Sequence, residues 1–154
     1  MKNLTSVLVA LAILGALAVG SFVIAGSADA AEADLRGRGV LYAKGSGTAE
    51  VEGDGVVSIR GDGSGTVLVT GAERIMARGD GHKVELPDGS VRFTGWQGTI
   101  KVIGEDMTVR MEGGNIAFRA GGQGTAHLAG HGRYWVGGHV GQWSPEGTDV
   151  TFGS

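Results

Sequence analysis

Residues 57–69, "VSIRGDGSGTVLV", alternate apolar and polar side chains, break at a glycine-aspartate-glycine cluster, and resume the alternation. Every second side chain of an extended chain points to one face, so this pattern describes half-buried strands joined at glycines. Variants of it fill most of the chain: "VLYAK" (40–44), "TAEVE" (48–52), "VVSIR" (56–60), "TVLVT" (66–70), "RIMAR" (74–78), "HKVEL" (82–86) and "SVRFT" (90–94). They continue as "TIKVI" (99–103), "MTVRM" (107–111), "NIAFR" (115–119), "TAHLA" (125–129), "RYWV" (133–136) and "DVTF" (149–152). No apolar stripe of helical period interrupts them. The expected fold is all-β.

The glycines serve backbone geometry. A phosphate-binding loop places its glycines ahead of a helix, whose free N–H groups face the anion. "RGDGSG" is followed by "TVLV", a strand, and no GK[ST] occurs. Asp-Gly stands at 54–55, 62–63, 80–81 and 88–89, the chemistry of tight hairpin turns. These pairs predict an antiparallel barrel or sandwich. A parallel β-solenoid is the alternative, since glycines at coil corners also allow stacking. The Gly-Thr starts at Thr48, Thr66, Thr99 and Thr125 keep no fixed period, which argues against regular coils.

"GGQGTAHLA" (121–129) resembles the calcium-binding nonapeptide of β-helix repeats, but Ala126 stands where the liganding aspartate belongs. The resemblance therefore implies no calcium site. With 31 glycines and two prolines in 154 residues, the chain stays below the composition of low-complexity disorder. Its 42% hydrophobic residues can form a core.

The amino end predicts export. Residues 7–25, "VLVALAILGALAVGSFVIA", carry no charge, and Ala28-Asp29-Ala30 has the small-x-small form of a signal-peptidase site. The run is long enough to span a bilayer as a helix if retained. Residues 1–30 thus read as a signal peptide or an N-terminal hydrophobic anchor helix, 31–38 as a short linker, and 39–154 as one all-β domain. The domain is expected outside the cytoplasm on either reading. No cysteine is present, so disulfide and thiolate chemistry are excluded.

Net charge is −3, and acidic and basic residues are interspersed along the chain, which gives no electrostatic footprint for nucleic acid. Arg-Gly-Asp occurs at 60–62 and 78–80, in the residues this pattern already uses at turns. The carboxylates Glu50, Glu52, Glu85, Glu105, Asp106 and Glu112 lie among Arg60, Arg92, Lys101 and Arg110, and read as cross-strand ion pairs. No GxSxG elbow, HExxH or cofactor motif is present, so no enzymatic activity and no cofactor is expected.

Two clusters carry binding chemistry. His127, His131 and His139 fall within a short span, and imidazoles from neighbouring strands can ligate a transition metal. Trp96, Tyr134, Trp135 and Trp143 offer rings that either stack on a glycan or fill the core above glycines. The sequence reads as a non-enzymatic, secreted or membrane-tethered surface or envelope module. Its expected partners are a second copy paired through β edges, an envelope glycan, and the membrane through residues 7–25 if the leader is kept. The alternative is a glycan- or metal-binding domain using the C-terminal His/Trp region.

Overall fold

The computed structural model describes residues 39–153. The leader, any N-terminal helix, and all of the linker lie outside the described residues. Six strands follow in order: β1 (Val40–Asp62), β2 (Thr66–Thr70), β3 (Arg74–Glu85), β4 (Val91–Val136), β5 (His139–Gln142) and β6 (Thr148–Phe152).

β4 has 46 residues. Laid straight at about 3.3 Å per residue it would reach roughly 150 Å, several times the breadth of a domain this size. It must bend, and it bends at glycines. Gly47 of β1 faces Gly130 of β4, with φ of +127° and +129°. A Cβ on Gly47 would collide with the carbonyl oxygen of Ala129 and stand 3.0 Å from Gly130 Cα. Two backbones cross at contact there, in a conformation L side chains rarely adopt.

Because the strands bend, one strand lies between separate segments of another. Ile59 of β1 lies between Ile100 and Phe118, Val51 between Val109 and Ala126, and Leu41 between Ala120 and Val136. The resulting segments form two rows. The first, from edge to edge, is 139–142, 132–136, 40–45, 116–121, 56–60, 98–103 and 74–79. The second is 148–152, 124–129, 48–53, 107–112, 66–70, 91–94 and 82–85. The outgoing chain, 40–85, and the returning chain, 91–136, alternate within each row, and each crosses from row to row at its corners. Neighbours run in opposite directions; for β2, Thr66 is opposite Glu112 and Thr70 opposite Thr108.

The sheet is antiparallel and does not close: β3 forms one edge and β5 and β6 the other, each paired only with β4. This corrects both the barrel and the parallel solenoid. It also corrects the turns. Only Asp88-Gly89 sits in a hairpin, where Leu86 donates to Ser90 O at 2.8 Å. Asp54-Gly55 and Asp80-Gly81 lie inside β1 and β3, at corners. A corner and a hairpin tip both demand positive φ, so Asp-Gly suits either.

Alternation sorts the side chains as the sequence predicts. Leu41, Ala43, Val57, Ile59, Ile100, Val102 and Phe118 of the first row point inward. They share one apolar cluster with Ala49, Val51, Val69, Phe93, Val109, Met111 and Leu128 of the second. Each large side chain fully buried there contributes about 1.5–3 kcal/mol.

Candidate interaction face

The outward positions of the two rows differ in charge. On the first row, Arg133 pairs across to Lys44, Lys44 to Ala117, Ala117 to Arg60, Arg60 to Thr99, and Thr99 to Arg78. Two residues along, the order is Val140, Trp135, Tyr42, Arg119, Ser58, Lys101 and Met76. With Arg74 on the edge strand, the face holds Lys44, Arg60, Arg74, Arg78, Lys101, Arg119 and Arg133, seven of the thirteen Lys and Arg in the chain. None of its outward positions is acidic.

The second row is mixed. Across it run Asp149, His127, Glu50, Arg110, Leu68, Arg92 and Val84, with Glu52, Glu112 and a series of threonines on either side. Arg110 lies 3.8 Å from Glu50 and 3.1 Å from Glu112. The remaining acids gather at corners and turns, where several cap backbone. Asp54 accepts from the Asp106 amide at 2.8 Å and from Gln123 at 3.1 Å. Those bonds, the Asp106 amide first, hold its carboxyl below the ordinary 3.8. Asp62 and Asp88 are lowered likewise, chiefly by the Ser64 and Ser90 hydroxyls.

Most cations of the basic face lack such engagement. Among the described residues, Lys44, Arg60, Arg74, Arg78, Lys101 and Arg133 make no ion pair. Arg60 and Lys101, expected in cross-strand ion pairs, therefore correct that reading, and Arg92 on the other row does the same. The face is also grooved. A depression floored by Ala117 and Ser58 is bordered by Tyr42, Arg60, Thr99 and Arg119. A second, bordered by Met76, Arg78, Thr99 and Lys101, adjoins it at Thr99. Short side chains between long cationic ones make such a channel.

The aromatic residues separate. Trp143 is buried, and its Nε1 donates to Arg133 O at 3.2 Å. Trp96 packs edge-on to Phe93, with ring centroids 5.2 Å apart, and its buried Nε1 finds no partner among the described residues. The Tyr134 ring lies over Gly141 and packs against the core. Trp135 alone of the four stands on the basic face, 5.2 Å from Tyr42 at a tilt of 43°. Tyr42 was missed in the sequence because its partner is 93 positions away.

The histidines separate as well. His127 points outward on the second row, with Nδ1 2.7 Å from Asp149. His131 sits opposite Ser46 at a corner, and His139 opens β5 opposite Val136. Among the described residues no three His, Cys, Asp or Glu stand together as a metal-holding group.

No family model matches the chain, and neither curated proteins nor solved structures show a match to it.

Proposed function

We propose that the chain is an exported, non-enzymatic surface or envelope module, secreted or tethered by residues 7–25, that engages its partner through the basic face. Its two rows act as the layers of a sandwich, a rigid scaffold whose outer surface does the binding. The single observation supporting this is a face whose Lys44, Arg60, Arg74, Arg78, Lys101 and Arg133 make no ion pair among the described residues, in a chain whose net charge is −3. A protein that needed those charges only for solubility would lose nothing by pairing them with acids.

The glycan reading of the C-terminal region gains from the placement of Trp135 beside Tyr42 on this same face. Export is tested by sequencing the amino end of the protein recovered from the cell envelope or medium. A start at Ala31 indicates a cleaved leader and an intact start indicates a tether; recovery only from the cytoplasm overturns the proposal. The interaction role is tested by reversing charge on the face and measuring the loss of binding.

A further inference from the structure

Six consecutive segments of the first row each contribute an outward cation to one track: Arg133, Lys44, Arg119, Arg60, Lys101 and Arg78, in spatial order, with Arg74 beside it on the edge strand. Neighbouring strands lie about 4.8 Å apart, so these charges step across roughly 24 Å in a zigzag between two adjacent cross-strand lines. Five of the six have no ion pair among the described residues. The joined depressions run along the same line, with Ser58 and Thr99 in them and the Tyr42–Trp135 pair toward one end.

The geometry points to a linear acidic polysaccharide, a chain of sugars bearing carboxylates, as the ligand of this track; the inference rests on the interaction module proposed above. A line of point charges matches a linear polyanion. Serine and threonine hydroxyls suit sugar hydroxyls, and an aromatic pair offers an apolar face to a sugar ring. Single-stranded nucleic acid fits less well, because its bases need rings spaced along the channel and the rings here lie at one end. A second copy of the chain fits less well too. Asp54, Asp62 and Asp88 already cap backbone at corners and turns, and Glu50, Glu112 and Asp149 already have partners. The other described acids lie on separate corners, edges and turns, with no row of them to match the track.

The test uses the full chain with labelled polygalacturonate, neutral dextran and an oligothymidylate as probes, together with sedimentation of the protein alone. Lys44→Glu/Arg60→Glu reverses two charges on the track; Lys83→Glu/Arg92→Glu reverses two charges off it. Each lost contact is worth about fivefold, so the track variant should bind polygalacturonate ~25-fold more weakly or worse. The off-track variant should stay within about threefold, and dextran should not bind. Wild-type binding should weaken about tenfold or more between 50 and 200 mM salt.

Oligothymidylate binding as tightly as polygalacturonate overturns the assignment. So does absence of polygalacturonate binding with salt-sensitive self-association that the track variant abolishes; the interaction face would then stand with another partner. Track and off-track variants that behave alike in every measurement overturn both the ligand and the face.

Discussion

Replacing Gly47 by alanine perturbs one corner without touching the core or the basic face. Gly47 sits at φ +127°, between Gly113 on one side and Gly130 on the other. A non-glycine residue in that region costs of order 1–3 kcal/mol in backbone strain. The new Cβ also meets the Ala129 carbonyl oxygen and lies 3.0 Å from Gly130 Cα. Both are backbone atoms, held by their own ladder bonds, so relief requires moving a neighbouring strand. Strain and collision together give a loss of about 3 kcal/mol or more, a fall in Tm of roughly 10–15 °C for a domain of this size. Gly114→Ala is the matched control: that glycine has no positive φ and nothing within 4 Å of its would-be Cβ. It should change stability by no more than about 0.5 kcal/mol. Urea unfolding of the full chain followed by circular dichroism measures both. If the two alanine variants fall within about 0.5 kcal/mol of each other, glycine geometry does not make the corners.

Asp54→Asn should lower stability at neutral pH, and the gap from wild type should close in acid. The folded carboxyl titrates below 3.8, so its contribution is present above the ordinary aspartate value and is lost as the pH falls through the folded one; a gap that persists well below that value contradicts the cap. Trp143→Ala should cost about 3–5 kcal/mol by emptying a buried site, while Trp135→Ala on the outer face should cost less than half as much; calorimetry ranks them. Lys83 and Glu85 lie opposite Phe93 and Val91 on the open edge strand, placing charge where apolar side chains would invite pairing. Lys83→Val/Glu85→Val should therefore raise self-association by sedimentation, and an unchanged monomer would show that these charges do not guard the edge.

The strands and their inward residues were legible in the sequence because the pleat has period two whatever the topology. Val57 and Ile59, or Ile116 and Phe118, face inward in any antiparallel arrangement. Which strands lie side by side was not legible. Segments 56–60 and 66–70, adjacent in the chain and separated by an apparent turn, belong to different rows, because Asp-Gly serves a corner as well as a hairpin.

That topology also hid the charge pattern. Along the chain, acids and bases are interspersed, and no patch is visible when the residues are taken one by one. Read by every second segment, the pattern is visible: "VLYAK", "VVSIR", "RIMAR", "TIKVI", "NIAFR" and "RYWV" each carry an outward cation and no outward acid. The intervening segments hold Glu50, Glu52, Glu112 and Asp149. The chain crosses from row to row at each corner and so gathers cations without acids on one side, leaving a mixture of acids with Arg92 and Arg110 on the other.

The interleaving of outgoing and returning strands is what places cations from separate segments in one line. Nuclear Overhauser contacts of Ser58 test it directly. Ser58 should show cross-strand contacts to both Arg119 and Lys101, and the backbones of 56–60 and 66–70 should show no ladder of contacts with each other. A ladder of contacts between 56–60 and 66–70, as in a chain of successive hairpins, would dissolve the row, the groove and the face together.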